Sequence, residues 1–164
     1  MPQANVKHWR RLDNAAKLFP AASSKRDTRV FRFYCELKED IQQEILQKAV
    51  DRTLEKYPIF LSVLRKGLFW FYLESREIKA LVKPERKPPC SQLYIPDQKS
   101  LLFRVSYHKN RINFEVYHAL TDGTGAMNFI TELVQDYLIL AHPEVELPRI
   151  EMADEATPGE KEED

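Results

Sequence analysis

Apolar residues recur along the chain at two spacings, and the switches between them mark the predicted elements. From Val30 to Leu37 apolar and aromatic side chains dominate, and β-branched and ring residues suit a pleated surface, so this run is predicted as a strand. After Lys38-Glu39-Asp40 the spacing lengthens. Ile41, Ile45, Ala49 and Leu54, widened by Leu46 and Val50, trace one face of a helix. Asp40 is placed to cap it, with Gln43 as its reciprocal partner, and Tyr57-Pro58 stops it. Ile59–Leu64 and Leu68–Leu73 read as two strands around Arg65-Lys66-Gly67, a hairpin whose glycine supplies a positive φ. Glu74–Val82 is a candidate further strand. Residues 83–96, with four prolines, form an irregular connection. Leu101–His108 and Arg111–His118 make the clearest hairpin, turning at Lys109-Asn110, where Asn110 takes the left-handed conformation. Thr124–Leu140 is a second helix, with Ala126, Ile130, Leu133 and Tyr137 on one face, and His142-Pro143 ends it. Near the start, Trp9, Leu12, Ala16 and Phe19 repeat at helical intervals and predict a short amphipathic segment closed by Pro20.

Strand, helix, hairpin strands and helix in this order predict an α/β fold: helices packed on a mixed, largely antiparallel sheet. A length of 164 residues fits one domain, spanning 1–143, and the acidic, proline-containing stretch 144–164 is predicted as a disordered tail or linker.

Composition narrows the function. Lys+Arg and Asp+Glu are equal at 25 each, which argues against nucleic acid, since phosphate recognition needs a cationic excess. No window approaches the roughly 18 apolar residues of a membrane span. The N-terminus lacks the apolar core of a secretion signal, so the protein is expected in the cytoplasm. Cys35 and Cys90 lie far apart without metal-ligand spacing, which suits a reduced compartment.

Candidate chemistry gathers in Tyr117-His118-Ala119-Leu120-Thr121-Asp122-Gly123, between the last predicted strand and the second helix. Ile112, Phe114 and Val116 share one strand face, and the same period turns His118 toward the core or a cleft. Taken alone, a histidine at a strand end reads as a core side chain. A metal site is disfavoured because His8, His108 and His142 are scattered and supply no ligand set. Gly123-Thr124-Gly125 opens a helix, but no P-loop lysine follows. A hydrolytic triad of His118 and Asp122 with Ser106 or Cys35 lacks a nucleophile elbow.

His118, Asp122 and Gly123 match the three fixed positions of HxxxDG, and the segment resembles that signature of the chloramphenicol acetyltransferase-like superfamily, which includes condensation domains and alcohol acetyltransferases. The stretches LDNAAKLFP, ELKEDIQQEILQKAVDRTLEKYP and GLFWFYLE also resemble alcohol acetyltransferase-like proteins, so the likeness runs from residue 5 to 143. It implies a chloramphenicol acetyltransferase-like half-domain. His118 would be the general base that deprotonates a small alcohol or amine attacking an acyl thioester. Asp122 would hold the loop by pairing with an arginine, and Gly123 would supply the tight turn. Asp13 and Asn14 are candidates for lining the cleft. No tightly bound cofactor is implied. The cosubstrate is acyl-CoA or a carrier-protein thioester. Members of this superfamily have two similar halves, the second carrying a DFGWG-like segment that is absent here, so a C-terminal half-domain is an expected partner. The chain is thus expected to be the N-terminal half of an acyltransferase, inactive if isolated. The alternative is a non-catalytic half-domain acting as a binding or assembly module.

Overall fold

The computed structural model describes residues 9–12 and 16–151. Among the described residues, seven strands and three α-helices follow in the order β1 (Trp9–Arg11), α1 (Leu18–Ala22), β2 (Val30–Glu36), α2 (Gln43–Lys56), β3 (Ser62–Lys66), β4 (Phe71–Ser75), β5 (Lys83–Pro84), β6 (Phe103–His108), β7 (Arg111–Tyr117) and α3 (Gly123–Ala141), with one 3-10 turn, Pro58–Phe60, between α2 and β3. The expected α/β architecture is present. A 4-stranded sheet has the order β2-β7-β6-β5, and a 3-stranded sheet the order β1-β4-β3. All pairings are antiparallel except β5 with β6.

The larger sheet carries the core. Ile112, Phe114 and Val116 of β7 lie opposite Cys35, Phe33 and Phe31 of β2, and this face meets α3, which packs beside α2. Phe114 stacks on Phe129 of α3 at 4.7 Å, and Phe60 and Phe103 close the cluster around Phe129 at 4.4 and 5.7 Å. Such offset and edge-on pairs add about 0.5–1.5 kcal/mol each beyond the area they bury.

The other face of β7 is buried as well. Asn113, Glu115 and Tyr117 would be solvated on a one-sided sheet, but the proline-rich connection folds over them. Tyr94 stacks on Tyr117 at 5.4 Å, and the Cys90 amide donates to Glu115 Oε1 at 2.5 Å. Glu85 accepts from Arg32 at 2.6 Å and from Arg111 at 3.0 Å, while Arg104 bonds Glu115. The connection is irregular as predicted, apart from two residues of β5 that join the sheet.

Several local expectations are corrected. Trp9–Arg11 is a strand on β4, because its backbone completes an otherwise open sheet edge; a helix forms only at Leu18–Ala22, with Pro20 inside its first turn, where a missing N–H is harmless. Asp40 does not cap α2. The Ile41 amide is held by the Lys109 carbonyl at 2.8 Å, which keeps the chain extended to Gln42, whose amide is taken by Tyr137 Oη at 2.9 Å. Gly67 has no positive φ. A Cβ there would come within 3.0 Å of the Trp70 carbonyl, so glycine serves a close approach. In the β6–β7 turn the left-handed residue is Lys109 (φ 51°), not Asn110, whose side chain instead donates to the Leu37 carbonyl. No strand spans 74–82; β4 ends at Ser75, and the chain then runs irregularly to β5.

Residues 144–151, expected to begin a disordered tail, double back along α3 as a strap. Arg149 bonds Glu132 at 3.0 Å and Asp136 at 3.2 Å, and the Ile150 amide donates to Gln135 Oε1 at 2.7 Å. Asp136 is fully buried and also accepts from Thr53 and pairs with Arg52 of α2, so one carboxylate ties together two helices and the strap.

Candidate functional site

His118 follows β7 directly, yet it is exposed, not turned into the core as strand alternation implied. The alternation lasts only as long as the ladder. β7 ends at Tyr117, residues 118–120 form a turn, and the Leu120 amide returns to the Tyr117 carbonyl at 2.9 Å. The His118 amide donates to the Arg29 carbonyl at 2.9 Å, which anchors the backbone to the start of β2.

Two aromatic rings hold the imidazole. Phe19 of α1 stacks on it at 4.6 Å with an interplanar angle of 16°, and Phe31 of β2 lies 4.9 Å away, tilted by 52°. A short relay places Phe19. Tyr117 Oη and Ser23 Oγ share a hydrogen bond of 2.7 Å, and Ser23 Oγ donates to the Phe19 carbonyl at 2.5 Å. Burial pushes the Tyr117 hydroxyl up to about 12, against the lowering effect of Ser23, so it stays protonated. One ring face of His118 is thus fixed, and the rest of the side chain opens outward.

Asp122 caps α3, its Oδ1 accepting from the Gly125 amide at 2.9 Å. Such caps are worth about 1 kcal/mol. The arginine partner implied by the family likeness is not found: among the described residues Asp122 enters no ion pair. The glycine requirement also moves. Gly123 lacks positive φ, and a Cβ on it would meet open space, whereas a Cβ on Gly125 would collide with Thr121 Oγ1. Gly125 is therefore the position the tight turn needs.

Asp13 and Asn14 lie outside the described residues. The structure adds Phe19, Ser23, Arg29 and Phe31 to the site. Of these only Phe19 carries a sequence signal, its place in LDNAAKLFP. Arg29 carries none, yet it holds φ 53° where its carbonyl meets His118, a left-handed conformation that costs a side-chain-bearing residue about 1 kcal/mol. Among the described residues no group of three or more His, Cys, Asp and Glu side chains could hold a metal ion. None of the described helices is long and apolar enough to cross a membrane.

Solved structures share this arrangement of sheets and helices. The starter condensation domain of the rhizomide synthetase RzmA matches with a TM-score of 0.66 and 11% identity over 82% of this chain. The epimerization domain from the third module of tyrocidine synthetase B matches with 0.65 and 13% over 92%. Polyketide synthase associated protein 5 from Mycobacterium tuberculosis matches with 0.61 and 17% over 87%. The fold is that of condensation domains. At such identities the likeness is one of fold alone. The chain spans only 38%, 39% and 36% of those three proteins, respectively, so it covers part of a larger condensation-domain fold. No family model and no curated protein matches the sequence.

Proposed function

We propose that this chain forms one wall of an acyltransferase site, with His118 as general base for transfer from a thioester, acyl-CoA or a carrier-protein thioester, to a small alcohol or amine. One ring nitrogen of His118 takes the proton of the acceptor as its oxygen or nitrogen attacks the thioester carbonyl. The tetrahedral adduct collapses, the C–S bond breaks, and the same proton passes to the leaving thiolate. The observation that carries the reading is the clamped, outward-facing imidazole at a strand end, directly before a capped helix, in a condensation-domain fold. A base must be fixed yet open to its acceptor, and His118 has both properties. The opposite wall would come from a second half-domain, in keeping with the 36–39% of the solved proteins that this chain spans.

The test is acyl transfer from acyl-CoA to small alcohols by the native full-length protein, compared with His118→Ala. Loss of the base should lower kcat/KM by about two to four orders of magnitude. Undiminished transfer in the variant removes His118 from the role.

A second reading, a non-catalytic binding or assembly module, is favoured by one feature. The β3–β4 hairpin presents Leu68 and Phe69 at 95% and 87% exposure beside Trp70, with Trp9 at 64%. Apolar tips of this kind mark contact surfaces. Light scattering discriminates: association abolished by Phe69→Ser would support the module, and a monomer at all concentrations would oppose it.

A further inference from the structure

A groove of about 500 Å³ runs between β2 and α3, and among the described residues no charged side chain lines it. Phe33 and Cys35 form one wall, Met127, Val134 and Leu138 the other, and Ile150 of the strap closes the far side with Leu147 and Pro148. From Met127 to Ile139 the α3 wall extends about 18 Å at the helical rise. The groove leads toward the candidate base. Phe31, which touches His118, meets Phe33 edge-on at 5.9 Å, so apolar surface continues from the imidazole into the groove.

We propose that this groove holds the hydrocarbon tail of the acyl thioester, and that the site therefore takes medium- to long-chain acyl groups in preference to acetyl. The inference rests on the acyl-transfer reading for the identity of the ligand. The groove's shape and chemistry stand apart from it. Uncharged walls reject a charged head group and reward methylenes removed from water. The strap turns the space between β2 and α3 into a slot with an apolar third side. Arg149 fixes that strap from outside, bonding Glu132 and Asp136 on the far side of α3, while Ile150 and Leu147 turn inward. An acetyl group would leave nearly all of an 18 Å channel unfilled.

Cys35 lines the groove and Cys90 does not, which supplies an internal control. Both thiols are free and half-buried, and burial raises the pKa of each, so alkylation by N-ethylmaleimide is followed at alkaline pH. Decanoyl-CoA should slow alkylation of Cys35 and leave Cys90 unchanged, while acetyl-CoA protects neither. By calorimetry, affinity should rise about fourfold per added methylene from hexanoyl- to decanoyl-CoA. Met127 is 45% exposed, so Met127→Arg should abolish the protection with the circular dichroism spectrum unchanged. Equal binding of acetyl- and decanoyl-CoA, protection of both cysteines, or an unaltered Met127→Arg protein overturns the proposal. So does self-association that Met127→Arg disrupts, which would make the groove an interface. Chain-length-dependent protection without acyl transfer keeps the groove and removes the catalytic reading. Transfer confined to acetyl groups does the reverse.

Discussion

Phe19 and His118 lie face to face, 4.6 Å apart and within 16° of parallel. Their contact joins the short helix near the chain's start to the loop after its last strand. Among the described residues no side chain hydrogen-bonds the imidazole, so its orientation depends on aromatic packing from Phe19 and Phe31. Phe19→Ala should cost more than the about 0.5–1.5 kcal/mol of the ring pair alone in urea denaturation, since the burial of a part-buried ring is lost with it. It should also move the His118 ring-proton resonances downfield, out of the shielding cone of the lost ring. Unchanged His118 resonances would mean that the stack does not persist in solution.

The two glycines of the loop should respond in opposite ways to the same substitution. Gly125→Ala drives a Cβ into Thr121, whose branched side chain has few alternative rotamers, and should destabilise by about 1–3 kcal/mol. Gly123→Ala places its Cβ in open space at the first helical position and should be neutral or stabilising by about 0.4–1 kcal/mol. Thr121→Ala should recover most of the Gly125→Ala loss, because it removes the colliding hydroxyl. Thermal denaturation of the three variants reads all of this.

These outcomes bear on what could be read from the sequence. The β6–β7 hairpin and α3 were legible because each is a long, locally periodic run, and Asp122 caps its helix through a bond three residues away. Trp9–Arg11 was not, since its strand state comes from pairing with Glu74, Leu73 and Tyr72, far along the chain. The local pattern singles out His118 but does not encode its exposure: alternation describes a ladder, and the ladder stops one residue earlier. Phe19, Ser23 and Arg29 reach the site only through tertiary packing, which no spacing encodes.

Asp136 and Arg149 should differ in cost although they are bonded to one another. Asp136 is fully buried and satisfied by Thr53, Arg52 and Arg149; Asp136→Ala leaves the buried Thr53 hydroxyl without its carboxylate partner and unties the two helices, and should cost about 1–3 kcal/mol. The Arg149 side chain is 41% exposed, so solvent screens its pairs, and Arg149→Ala should cost less than about 1 kcal/mol. Its effect should instead be local. Hydrogen exchange should quicken at Ile150, whose amide is held by Gln135, while the α3 core keeps its protection. Global loss in Arg149→Ala would contradict this division.

Stability should fall away on both sides of neutrality, through different residues. Burial works to raise the pKa of Glu85 and Glu132, but hydrogen bonds and charge from Arg32 and Arg111, and from Lys56 and Arg149, outweigh it and hold both carboxyls below 4.5. The unfolded chain therefore takes up these protons first. The stabilisation is present above about 4.5 and is lost as pH falls through the lower folded values. His142 has the opposite sign. Its hydrogen bond to Glu39 outweighs desolvation and, helped by the charges of Glu39 and Glu144, raises its pKa above 6.5. That contribution is complete below 6.5 and vanishes as pH rises through the raised value. Urea midpoints measured from acid to mildly alkaline pH should show both slopes. Glu85→Gln should flatten the acid one and His142→Gln the alkaline one. An acid slope that Glu85→Gln and Glu132→Gln both leave intact would place the acid-sensitive charges elsewhere.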